Sequence, residues 1–191
     1  MQKIIIITGT VASGKSTALK ILRDKFAYHI ISADEVYHGL LSNGLFDDMF
    51  IKEFRTKDKV FIRERMLKSD ETRNTLNEIT HPKIIAEIKR LLGCLAGSTS
   101  HDNDGRKGIA IEIPLFDKIN LIKHDISIFI TASLKIRLNR LQKRGLSSSE
   151  AQKLIDIQLN YETQNDCDYT INNDGDETEL ERKLQKIISD F

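Results

Sequence analysis

The chain has little of what would let cross-links or metals hold it together. Among 191 residues there are two cysteines, Cys94 and Cys167. They form no metal-binding spacing, and a reducing cytosol is the simplest home for them, so the expected location is cytoplasmic. Cys94 falls on a helical pattern and reads as a packing residue. The five histidines (His29, His38, His81, His101 and His124) include no pair at ligand spacing, so no structural metal is expected. Charge of one sign is missing as well. Lys and Arg number 29 against 28 Asp and Glu, so no overall field draws the chain to nucleic acid or to an anionic membrane surface. No apolar run is long enough to span a bilayer. The opening run is too short for a signal peptide and leads straight into a glycine motif. There are no internal repeats, and no pattern specifies an oligomeric state. What remains is enough for one domain, or one domain with an insert, around a substantial core.

The organising feature is Gly9-Thr10-Val11-Ala12-Ser13-Gly14-Lys15-Ser16-Thr17, which fits G-x-x-x-x-G-K-[ST], the phosphate-cradling P-loop. Lys3 to Thr8 before it is a β-branched apolar run that reads as a strand buried on both faces. After it, Leu19, Leu22 and Phe26 share one helical stripe. Strand, glycine loop and helix come in the order the chemistry needs. The loop folds back so that successive N–H groups and the helix N-terminus point at phosphate oxygens. Lys15 would then reach the β- and γ-phosphates of a nucleoside triphosphate, and the Ser16 hydroxyl would ligate Mg²⁺.

Further along, residues 28–33 read as a second strand. Ser32 with Glu35 forms a capping box for a new helix, which puts Asp34 in the first turn beyond a strand's C-terminal end. Ligands of open α/β sheets bind at such ends, and Asp34 is the candidate to face an acceptor hydroxyl. Phosphoryl transfer through a loose transition state asks for orientation of that hydroxyl more than for a strong base. Residues 42–80 carry helical patches and no strand, with Phe46, Met49, Phe50 and Phe54 at helical spacing as core residues. A long helix is expected to open at His81-Pro82, since proline is at ease in the first helical position. Its buried stripe is Ile84, Ile85, Ile88, Leu91, Leu92 and Leu95, and His81 is either its cap or a substrate contact. Gly97–Gly108 is a polar loop. Residues 109–116 are a third strand that carries Glu112, a candidate to assist Mg²⁺, and residues 126–131 are a fourth. The helix after it places Arg137, Arg140 and Arg144 on one face, the arrangement of an arginine lid over a transferring phosphate. A helix capped at Ser147–Glu150, a short strand at 168–171, a turn at 172–175 and a last helix built on Leu180, Leu184, Ile187 and Ile188 complete the chain.

Taken together, these pieces resemble the dephospho-coenzyme A kinases over nearly the whole length. The likeness rests on the P-loop, Ile31-Ser32-Ala33-Asp34, Leu76 to Pro82, Glu112-Ile113-Pro114-Leu115, Arg140-x-x-x-Arg144, Ser149-Glu150-Ala151 with Gln158, and Asp168 to Gly175. The resemblance implies transfer of the γ-phosphate of ATP to the ribose 3′-hydroxyl of dephospho-coenzyme A, with Mg²⁺. The implied fold is a five-stranded parallel sheet with helices on both faces, a helical acceptor-binding insert at about 42–97 and a short lid at about 137–150. Asp34 matches the catalytic carboxylate, with Lys15 and Arg140 as its catalytic partners. Ala12, Ser13, Gly14, Lys15, Ser16, Thr17, Arg144 and Asn173 fall to ATP, Asp34 and His81 to the acceptor, and Ser16 and Glu112 to the metal. The chain departs from the family pattern at Thr10 and Ala12, where glycines are usual, and at Arg137, where glutamine is. A P-loop kinase for another small acceptor, a nucleoside or nucleotide, is the alternative. A uridine kinase would carry an Asp-x-Phe-Tyr-like strand end, and a GTP switch an Asn-Lys-x-Asp motif; the chain has neither.

Overall fold

The computed structural model describes residues 3–66, 68–97, 105–114, 120–162 and 167–191. Five strands, β1 (Lys3–Gly9), β2 (Tyr28–Ser32), β3 (Gly108–Glu112), β4 (Ile126–Thr131) and β5 (Tyr169–Asn172), form one parallel sheet in the order β2-β3-β1-β4-β5. The helices among the described residues are α1 (Lys15–Phe26), α2 (Ala33–Ser42), α3 (Asp47–Phe54), α4 (Lys59–Met66), α5 (Asp70–Gly97), α6 (Leu134–Lys143), α7 (Ser148–Glu162) and α8 (Glu177–Asp190). By internal contacts the chain divides into two compact units, Met1–Ile31 with Asp102–Phe191, and Ser32–His101.

In the first unit β1 is the central strand, with Ile5 opposite Ala110 on one side and Ile126 on the other. A strand paired on both edges and covered on both faces has to be apolar throughout, and Ile5, Ile6 and Ile7 are all fully buried. Ile5, Ile7, Ala110, Ile128, Ile130 and Ile171 turn to one face. Leu19 and Leu22 of α1 and Leu180, Leu184 and Ile187 of α8 pack with them. Each such side chain removed from water contributes about 1.5–3 kcal/mol. Ile6, Ile111 and Phe129 turn to the opposite face and are buried too. The third strand ends at Glu112, short of the expected Phe116. The Ile113 N–H still donates to the Ile7 carbonyl at 3.0 Å, but Pro114 has no N–H to continue the ladder. Residues 115–119 lie outside the described residues.

The β4–β5 register is pinned at its N-terminal end by a side chain. The Asp168 carboxylate accepts from the backbone N–H of Ser127 at 2.8 Å and from its hydroxyl at 2.7 Å, and the Asp168 N–H donates back to the Ser127 hydroxyl. These hydrogen bonds hold the Asp168 carboxyl below its ordinary value of 3.8. A lowered carboxylate contributes stability above its unfolded-state value, and that stability is lost as pH falls through the lower folded value. Asp168→Asn should therefore lower Tm at neutral pH, and the gap to the parent should close as pH drops below about 4. Melting curves at pH 7 and at acid pH check this.

The second unit is helical. Phe46, Phe50, Phe54, Leu41, Ile62 and Leu76 form its core, with Phe46 and Phe50 stacked at 5.6 Å between ring centroids, so the phenylalanines are core residues as their spacing predicts. Ser32 caps α2 by accepting from the Glu35 N–H at 3.5 Å, which leaves Asp34 exposed in the first turn. The helix expected to open at Pro82 opens at Asp70 instead and carries Pro82 within it. An internal proline forfeits a backbone hydrogen bond and costs on the order of 3 kcal/mol. Burial on both sides outweighs that cost, through Leu76 and Thr80 before it and Ile84, Ile85 and Ile88 after it. His81 is thus a mid-helix residue, half-buried, and not a cap. Cys94 is exposed beside Arg90 and does not pack. Of the Gly97–Gly108 loop, residues 98–104 lie outside the described residues.

Candidate active site

The site grows out of the end of β1. At Gly9, φ is +141° and an added Cβ would collide with the Ile130 carbonyl oxygen, so the chain can leave the sheet here only as glycine. The loop then turns through Ala12, at φ +58°, and Gly14, at φ +106°. A left-handed alanine costs about 1–2 kcal/mol. Its methyl offsets part of this by packing with Leu141, Ala151 and Ile155. Gly14 has no such latitude, because its missing Cβ leaves the space that the Asn173 side-chain nitrogen fills. Gly14→Ala should weaken ATP binding by on the order of tenfold, since it combines a strained φ with displacement of Asn173. Calorimetric titration with ATP reads this directly.

Lys15 opens α1, and its Nζ folds back to donate to the carbonyls of Gly9, at 3.0 Å, and Thr10, at 2.9 Å. Ser16 is exposed and Thr17 half-buried in the same first turn. The hydroxyls of Thr8, Thr10 and Ser13 are buried with no hydrogen-bond partner among the described residues. Such groups are costly and concentrate where water or a ligand completes a site.

Two helices hold the loop from outside. Arg137, on α6, is buried, and its Nε donates to the Val11 carbonyl at 3.1 Å. Arg140, one turn on, donates through Nη1 to the carbonyls of Ala12 and Ser13, both at 3.1 Å, and through Nη2 to that of Asn173 at 3.0 Å. Burial pulls the Arg140 guanidinium below its usual value, and the charge of Asp174 opposes this. Asn173, just past β5, is tied by its N–H to the Thr131 carbonyl, and its Nδ2 donates to the Ser13 carbonyl, both at 2.8 Å. From α7, the Gln158 Oε1 accepts from the Val11 N–H. That helix starts with a full capping box between Ser147 and Glu150, as the sequence predicts.

Beside the loop lies an open cavity of about 370 Å³, a size suited to a nucleoside. Arg140, Lys143 and Arg144 give it a cationic wall, and Gly14 and Thr17 its floor. The Asn173–Gly175 turn and the start of α8 close the other side. Arg144 is the exposed C-cap of α6. Thus Gly14, Thr17, Arg140, Arg144 and Asn173 come together around one cavity, and Ala12 and Ser13 join them through Arg140. Glu112 ends β3, buried, in register with Ile7 of β1. Asp34 and His81 belong to the helical unit, on α2 and α5. The sequence puts Arg137 in the lid row with Arg140 and Arg144, but it is buried against the loop carbonyl of Val11, and Gln158 has no role in the sequence reading. The Arg137–Arg140 spacing was the only local sign of the arginine, and Gln158 gave none beyond the family resemblance.

A parallel sheet with a glycine loop and helix leaving its central strand is the fold of the P-loop kinases. A family model described as dephospho-CoA kinase matches residues 3–179. The chain is 31% identical over 207 residues to the dephospho-CoA kinase of Borrelia garinii subsp. bavariensis, covering 97% of this chain and 95% of that one. It is 27% identical over 204 residues to that of Campylobacter jejuni, covering 100% and 98%. The solved dephospho-CoA kinase structure from Campylobacter jejuni matches with a TM-score of 0.63 at 25% identity, over 99% of this chain and 96% of that one. The chain belongs to the dephospho-CoA kinase family.

Proposed function

We propose that the chain transfers the γ-phosphoryl group of ATP to the ribose 3′-hydroxyl of dephospho-coenzyme A, completing coenzyme A in the cytoplasm. The observation that carries this is the family match across residues 3–179, and the braced loop beside a nucleoside-sized cavity agrees with it. The adenosine of ATP would occupy the cavity, with Asn173 and its turn against the base and Arg144 over the phosphates. Ala12 to Thr17 would wrap the phosphate chain. Lys15 would exchange its loop carbonyls for the β- and γ-oxygens, and Arg140 would neutralise charge on the transferring group. Asp34 would orient the acceptor hydroxyl and take its proton. The Ser32–His101 unit, with His81, would hold the rest of the acceptor, and residues 137–150 would act as the lid.

Ser16 and Glu112 suit Mg²⁺, which takes hard oxygen donors and keeps several of its positions for water and phosphate. Among the described residues no group of three or more His, Cys, Asp or Glu forms a metal cage, and a cation carried by ATP needs none. When bound, it offsets charge on the β- and γ-oxygens.

The test is ADP release from Mg²⁺-ATP in the presence of dephospho-coenzyme A, uridine, AMP, shikimate or gluconate, each in its own reaction. Stimulation by dephospho-coenzyme A alone, with coenzyme A as product, is the expected outcome. Stimulation by one of the others instead would retain the P-loop kinase and reject the acceptor.

A further inference from the structure

Val11 is the third residue of the P-loop, and both of its backbone polar groups are held by side chains distant in sequence. Its N–H donates to Gln158 Oε1 on α7, and its carbonyl accepts from Arg137 Nε on α6. Each peptide group is planar. Holding the N–H fixes the plane before the Val11 Cα, and holding the carbonyl fixes the plane after it. Together they set φ and ψ of Val11. The next residue, Ala12, sits at φ +58°, a conformation that persists only where its surroundings over-determine it.

From these contacts we propose that Arg137 and Gln158 are positioning residues that clamp Val11 and so hold the phosphate-binding N–H groups of the loop in place. In a trans peptide the N–H points opposite to the preceding carbonyl. With the Val11 carbonyl drawn towards α6 by Arg137, the Ala12 N–H faces away from α6. With the Ser13 carbonyl drawn to Arg140 and Asn173, the Gly14 N–H faces away from those groups. Donors set before the ligand arrives incur no ordering cost when it binds. Neither clamp residue touches the phosphates in this account; both act through the backbone.

The inference rests on the reading of the loop as an ATP phosphate cradle, and the experiment separates the two. Calorimetry would measure the affinities of ADP and of adenosine for the parent protein and for Arg137→Met, Arg137→Lys and Gln158→Leu. Losing a hydrogen bond to a charged donor, as at Arg137, or leaving a part-buried N–H unsatisfied, as at Gln158, supports a loss of about tenfold. Arg137→Met and Gln158→Leu should therefore each weaken ADP by about tenfold or more, with adenosine affinity kept within about twofold. Arg137→Lys, which retains a cationic donor, should recover part of the loss. A purely structural role would lower Tm and leave the ADP-to-adenosine ratio unchanged, and that result overturns the proposal. So does an equal loss for both ligands. Arg137 is buried, and if Arg137→Met does not fold, Gln158→Leu, at a half-buried position, decides the matter alone. A parent protein that binds ADP no better than adenosine would remove the cradle reading itself, and the clamp with it.

Discussion

Lys15→Ala should lower kcat/KM by about a hundred- to a thousandfold, the scale on which a single donor to transition-state charge acts. The ammonium already lies within the loop, on the carbonyls of Gly9 and Thr10, so the charge is in place before any ligand arrives. Removing it takes away the donor to the γ-oxygens and also leaves two loop carbonyls to rearrange. The cavity proposed for the adenosine is lined by other residues, among them Arg140, Arg144 and Asn173. Adenosine should therefore bind Lys15→Ala about as well as it binds the parent, while ATP binds less tightly. Steady-state kinetics with calorimetry of ATP and adenosine test both halves. A variant with parental kcat/KM would remove Lys15 from the phosphate site.

Asp34→Asn acts on a different step. A positioned acid–base group contributes typically 10²- to 10⁴-fold, and amide for carboxylate keeps the shape while discarding the proton acceptor. Turnover should fall at least a hundredfold. Asp34 is not among the residues assigned to the nucleotide, so ATP affinity should stay within about twofold. The α2 cap depends on Ser32, not on Asp34, so Tm should move little. Asp34→Asn with parental turnover would strike that residue from the mechanism. The two variants together make a dissection: Lys15→Ala weakens ATP and slows turnover, whereas Asp34→Asn slows turnover alone.

How much of this was legible in the chain depended on whether the cause was local. The P-loop could be read because its glycines are required one by one by backbone geometry, at Gly9 against Ile130 and at Gly14 against Asn173. The helical unit could be read because four apolar residues from Phe46 to Phe54 repeat at helical spacing. Pro82 misled, because a local preference for the first turn gave way to burial along the whole of α5. The brace on the loop could not be read. Arg137 and Gln158 stand 126 and 147 residues from Val11, and no local pattern records a pairing at that range. Even the arginine row, recognised as a face, gave no sign that Arg137 is buried behind the loop, while Arg144 stands exposed at the helix end.

The strand order bears on how the chain is made. Lys3 pairs with Gly108 and Ile5 with Ile126, so β1 leaves the ribosome with neither neighbour yet synthesised. At about 5–20 residues per second, β3 follows on the order of ten seconds later. In that interval a run of four isoleucines has two open edges, the state in which nascent chains stick to one another. The helical unit Ser32–His101 emerges whole before β3 does, and among the described residues the cluster around Phe46 and Phe50 is built from its own helices. Translation thus delivers a helical unit that is complete in sequence while the isoleucine-rich central strand still waits for its partners, and the yield of active enzyme should depend on the chaperones that guard β1 in that window.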